Sequence, residues 1–147
     1  MEITEVKIKL TNSNKSKLRA YCSVTFNNAL VVHDVKIIDG TKGIFVAMPS
    51  RKITQHCTKC ASKNHLRSRF CNECGGLLPP SQPELDENNR PKFYSDIVHP
   101  INSACRGLIQ DVVLKYYAEE LKRSEELGYD RYMESPPGNY SGNFKML

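Results

Sequence analysis

Four cysteines in two C-x-x-C pairs, Cys57-Thr58-Lys59-Cys60 and Cys71-Asn72-Glu73-Cys74, constrain this chain more than any other feature. Ten residues separate the pairs, enough for one hairpin, and two such knuckles can place four thiolates tetrahedrally around one Zn²⁺. A coordination shell closed by four sulfurs leaves no open position for a substrate, so the site reads as structural. Gly75 and Gly76 follow the second pair and permit a tight turn whose amides point back at sulfur. A module this short cannot bury a core of its own, so the metal supplies most of its folding free energy, on the order of 10 kcal/mol.

Other uses of the cysteines fit less well. The start, Met1-Glu2-Ile3-Thr4-Glu5, has neither the positive segment nor the apolar run of a secretion signal, and the chain is therefore expected in the cytoplasm. A reducing compartment argues against two disulfides. A redox-active pair needs one C-x-x-C beside a βαβ unit, and here there are two pairs and no such unit. His56 or His65 standing in for one cysteine is a further alternative. Cys22 and Cys105 lie in apolar periodic segments and read as packed thiols.

The rest of the chain supplies one ordinary domain. It has 147 residues, 39% of them hydrophobic, and no apolar run near the ~20 residues that cross a bilayer, so no membrane association is expected. In Leu18, Ala20, Cys22, Val24 and Phe26, apolar residues alternate with Arg19, Tyr21, Ser23 and Thr25, the period of a strand with one buried face. Ile3, Val6, Ile8 and Leu10 predict a strand before it, joined through the polar turn Thr11-Asn12-Ser13-Asn14-Lys15. Leu30 to Ile38 and Ile44 to Met48 predict two more, separated by a glycine turn from Asp39 to Gly43 and stopped by Pro49. Connections this short imply an antiparallel meander.

From Asn102 the period becomes 3.6, with Ala104, Leu108, Ile109, Val112, Val113, Tyr116, Tyr117 and Leu121 on one stripe. Asn102 or Ser103 is the expected N-cap and Gly128 the expected stop. The fold class is thus α+β, a small antiparallel sheet with a C-terminal amphipathic helix, interrupted by a zinc ribbon. The body is assigned to residues 1–52 and 91–128, the ribbon to 53–78, a polar proline-rich linker to 79–90 and a disordered tail to 129–147. Sheet edges left open predict a homodimer.

Charge is concentrated at the ribbon. From Arg51 to Cys74 six positives, Arg51, Lys52, Lys59, Lys63, Arg67 and Arg69, face the single Glu73, which gives +5, the excess of the whole chain. A cluster confined to one segment points to a local anionic partner such as nucleic acid. The competing reading is a solvated face on a ribbon that docks a partner protein. Catalysis has little support: His33 and Asp34 are neighbours on a strand and should point to opposite faces, His99 sits at the helix entrance, and no phosphate loop, nucleophile elbow or carboxylate dyad is present.

Three stretches resemble the bacterial SpoVG family, the septation regulators: Val31-Val32-His33-Asp34-Val35-Lys36-Ile37-Ile38-Asp39-Gly40, then Gly43-Ile44-Phe45-Val46-Ala47-Met48-Pro49-Ser50-Arg51-Lys52, and His99-Pro100-Ile101-Asn102-Ser103 with Arg106. The resemblance implies a dimeric regulator that binds DNA and in some members RNA, through basic residues after the Met-Pro-Ser turn and around the helix. Carried over, that assigns binding to Arg51, Lys52 and Arg106. Where family members have a short loop, this chain inserts the four-cysteine segment, so Lys59, Lys63, Arg67 and Arg69 are expected to extend the same surface.

Overall fold

The computed structural model describes residues 1–11 and 16–126. They form two compact units, one of residues 1–49 with 98 onward, the other Ser50–Ile97. Most of the expected turn after Thr11, the expected helix stop at Gly128 and the tail from 129 lie outside the described residues.

The first unit is a four-stranded antiparallel meander, β1 (Ile3–Leu10), β2 (Leu18–Phe26), β3 (Leu30–Gly40) and β4 (Gly43–Ala47), in that spatial order, with α1 (Ser103–Arg123) packed on β1, β2 and β4. The alternation in β2 sorts as its sequence dictates: Ala20, Cys22, Val24 and Phe26 are buried, and the residues between them are not. They meet Val6, Leu10, Val32, Val35, Ile37 and Val46 from the other strands and Ile109, Val113 and Tyr117 from the helix. Asn27 and Asn28, both in the left-handed region, make the tight turn into β3, and the Asn27 side chain accepts the Glu2 N–H at 2.9 Å.

One feature of β3 departs from a regular strand. Cys22 pairs with Val35 and Val24 with Val32, so Ser23 alone faces both His33 and Asp34, and Asp34 takes φ +62°. This β-bulge lets Val32 and Val35, three residues apart, both point into the core. The strict alternation expected to send His33 and Asp34 to opposite faces therefore stops there; the Asp34 carboxylate lies 3.8 Å from Lys36 Nζ.

At the helix start, the Asn102 side chain accepts the Cys105 N–H at 2.8 Å, settling the N-cap. The helix ends at Arg123, earlier than expected, because Ser124 turns its hydroxyl onto Leu121 O at 2.6 Å and the chain tightens through Glu125 and Glu126. The buried stripe is also narrower than the periodic one, since Leu108, Tyr116 and Leu121 stay about 40% exposed.

The second unit is built from short pairs: β5 (Ser50–Lys52) with β8 (Tyr94–Asp96), and β6 (Thr54–His56) with β7 (Lys63–His65). Arg51 and Lys52, placed in the body by the sequence reading, lie on β5 and so belong to this unit. Residues 79–90 carry an Asx turn, the Asp86 carboxylate accepting the Asn88 and Arg90 amides, and an isolated bridge from Leu85 to Pro91.

Candidate metal centre and basic surface

Each cysteine pair sits at the tip of its own hairpin, rather than flanking a single one. The first occupies the β6–β7 turn and the second lies between Phe70 and Leu77, which form a bridge. The two loops repeat one conformation. Cys57 N–H donates to Ser62 O and Cys71 N–H to Gly76 O, both at 2.8 Å; Ala61 N–H donates to Cys57 O at 2.9 Å and Gly75 N–H to Cys71 O at 3.0 Å. Ala61 and Gly75 hold equivalent left-handed positions, at φ +62° and +73°. The glycine is expected there; the alanine carries a Cβ into the region that disfavours it.

This geometry brings the four sulfurs together, all within 4.8 Å of one another. Cys57 and Cys74 Sγ are 3.6 Å apart and Cys60 and Cys71 Sγ 3.5 Å, far beyond a bonded pair at about 2.05 Å. A tetrahedron with thiolate–zinc bonds of about 2.3 Å sets sulfurs about 3.8 Å apart, so the cluster fits a single ion of that size. Neither histidine joins it: the His56 ring donates to Ala61 O at 3.0 Å, and His65 Nδ1 accepts the Arg67 N–H at 3.2 Å.

The loops are arranged to hold thiolates. Amides of Cys60 and Lys59 bond to Cys57 sulfur and lower its pKa; those of Cys74 and Glu73 do the same at Cys71, to about 6. At Cys74 the Gly76 amide also favours ionisation, yet the neighbouring sulfur of Cys57, burial, and the sulfurs of Cys60 and Cys71 push the thiol up to about 11. The crowding of sulfurs thus opposes ionisation at Cys74, and a divalent cation at the centre would offset that opposition.

Asn64, missed by the sequence reading, completes the arrangement. It is buried, donates its amide to Cys71 Sγ at 3.5 Å and to Ser62 O at 3.2 Å, and accepts the Asn72 N–H at 2.8 Å. A polar residue between two knuckles looks like any solvated loop asparagine, so only the folded hairpin reveals its role. Ser62 is a second such residue, its hydroxyl 3.1 Å from Cys60 Sγ.

Arg51, Lys52, Lys59, Lys63, Arg67 and Arg69 all fall in this unit and are all exposed. The ion pairs among the described residues, Lys7–Glu5, Arg19–Asp39, Lys36–Asp34 and Arg123–Glu120, use none of them. Arg106 is exposed as well but belongs to α1 in the other unit, beside a small cleft lined by Val46, Met48 and Pro100. No helix among the described residues is long and apolar enough to cross a membrane.

A meander with one helix across it, and a four-cysteine module that follows the sheet and precedes the helix in chain order, define a small α+β protein with a metal-compatible insert. The chain belongs to the SpoVG family, whose model matches residues 1–119. It is similar to proteins provisionally named septation protein SpoVG: one from Bdellovibrio bacteriovorus, 31% identical over 97% of each chain, and one from Finegoldia magna, 34% identical over 86% of this chain and 83% of that one. Another, from a Thermoanaerobacter species, is 36% identical over 85% of this chain and 95% of its own.

Proposed function

We propose that this SpoVG-family chain is a cytoplasmic, zinc-containing regulatory protein that binds nucleic acid, DNA or RNA, through the basic face of the four-cysteine unit. One observation carries the reading: six exposed cations that form no ion pair among the described residues fall between Arg51 and Cys74 with the single Glu73, in a unit whose remaining charges, Arg90 and Lys92 against Glu84, Asp86, Glu87 and Asp96, lie outside that stretch. Positive charge concentrated in one stretch attracts a polyanion. Zinc is the ion of choice because four thiolates in two knuckles select it over hard cations. Its part is to fold the loops that carry Lys59, Lys63, Arg67 and Arg69, leaving phosphate contact to the side chains themselves.

The chain acts as a homodimer. β1 and β4 are the edges of the meander, and Ile44 and Phe45 on β4 are 43% and 41% exposed. An apolar strand edge of this kind pairs readily with another copy. Light scattering at micromolar concentration should give twice the chain mass; a monomer mass would remove this element of the proposal.

The binding test is a salt titration of variants. Arg51→Ala with Lys52→Ala should weaken binding to every duplex sequence and reduce the log–log salt slope by about 1.8, two phosphates at about 0.9 each. Lys63→Glu, Arg67→Glu and Arg69→Glu together should do at least as much. If the triple variant keeps both affinity and slope, the ribbon is no part of the nucleic-acid surface.

A further inference from the structure

The ribbon unit leaves aromatic side chains outside any core. Phe70 is 62% exposed and Leu77, bridged to it across the second hairpin, 69%. Tyr94 is 53% exposed and stands opposite Lys52 in the β5–β8 ladder. Arg67 holds its guanidinium 4.1 Å over the Phe93 ring, and is itself exposed. Two of these rings have a cation beside them, Lys52 pairing with Tyr94 and Arg67 covering Phe93, and Arg69 is the residue before Phe70 in the chain.

A solvated basic face requires cations and no rings, and a duplex keeps its base faces stacked out of reach. Alternating negative charges and accessible flat apolar faces are what an unpaired strand presents, one phosphate and one base per nucleotide. An acidic peptide supplies the charge without the regular series of faces.

We propose that the ribbon unit binds single-stranded nucleic acid, with Phe70 and Tyr94 stacking on unpaired bases while the neighbouring Arg69 and Lys52 contact the backbone. This rests on the nucleic-acid reading above and adds base stacking, on unpaired strands, to the phosphate contacts that a duplex also offers. Arg67, already held against Phe93, enters as a fixed rather than a floppy cation. Leu77 widens the apolar platform beside Phe70.

The chain contains no tryptophan, so Phe70→Trp installs a single fluorescent reporter at the proposed platform. The zinc-loaded full chain is titrated with an oligothymidine of about 15 nucleotides, an abasic strand of equal length and charge, and a duplex. Oligothymidine should quench the tryptophan and the abasic strand should leave it unchanged. Phe70→Ala should weaken oligothymidine binding by about 5- to 150-fold, the loss of one stacked base, without altering the salt slope, and change duplex binding less than twofold. Unchanged tryptophan emission at saturating oligothymidine, or equal quenching by the abasic strand, overturns stacking even where salt-dependent binding persists. No binding of any of the three probes overturns the underlying nucleic-acid reading as well, and leaves Phe70 and Leu77 to a protein partner.

Discussion

Removing the Asn64 side chain isolates what the protein adds to the four sulfurs. Asn64→Ala deletes the amide that reaches Cys71 Sγ at 3.5 Å and the oxygen that accepts the Asn72 N–H at 2.8 Å. Asn72 is exposed, so its amide finds water and costs little, while Cys71 is buried and loses a charge-assisted partner. A hydrogen bond to a charged group contributes about 1.5–3 kcal/mol, and losses of outer-shell partners weaken metal binding about 10- to 100-fold. The two figures agree, at about tenfold per 1.4 kcal/mol. Asn64→Asp keeps the acceptor for Asn72 but sets a carboxylate against a thiolate, and should bind zinc more weakly than the alanine variant. Competition against a chromogenic chelator gives the affinities. Asn64→Ala within twofold of the parent, or Asn64→Asp equal to it, would refute the role of this side chain.

The paired loops supply a matched test of backbone strain. Ala61→Gly should stabilise the zinc-loaded unit by about 1 kcal/mol, and Gly75→Ala should destabilise it by a similar amount, since a Cβ there meets nothing within 4 Å and only its φ of +73° opposes it; equal urea midpoints for all three chains would contradict this. Chelation should unfold the ribbon and leave the sheet and helix, so far-UV signal from the body persists. Burial pushes the Cys22 thiol up to about 12, so alkylation of the folded chain at mildly alkaline pH should mark the half-buried Cys105 and spare Cys22. The same shift means the unfolded chain releases a proton that the folded chain retains, so stability should decline as pH rises from about 9 toward 12.

What the sequence made legible follows from local physics. The alternation of β2, the Asn102 cap and the C-x-x-C spacing each depend on residues close in the chain, and each appears in the fold where expected. The bulge at His33 and Asp34 was not legible, because it is set by register against β2, a strand whose pairing no local pattern encodes. Asn64 escaped for a related reason: its three bonds reach Ser62, Cys71 and Asn72, which meet only when both hairpins have formed. The helix end at Arg123 turned on the Ser124 hydroxyl taking a backbone carbonyl, a competition that the apolar period does not encode. The periodic stripe overstated the buried face because the sheet covers only one side of the helix, leaving Leu108, Tyr116 and Leu121 partly in solvent.

A metal-ordered basic module that grips nucleic acid is tested by titrating random-sequence duplex and single strands with zinc-loaded and chelated chain at about 50 and 200 mM salt. With about six phosphate contacts, duplex affinity should fall roughly 10³-fold between the two salts for the zinc-loaded protein. Chelation should weaken binding at the lower salt and flatten the dependence, because four of the six cations, Lys59, Lys63, Arg67 and Arg69, lose their fixed positions. Affinity independent of salt, or identical curves with and without zinc, would rule out a zinc-ordered phosphate-binding surface.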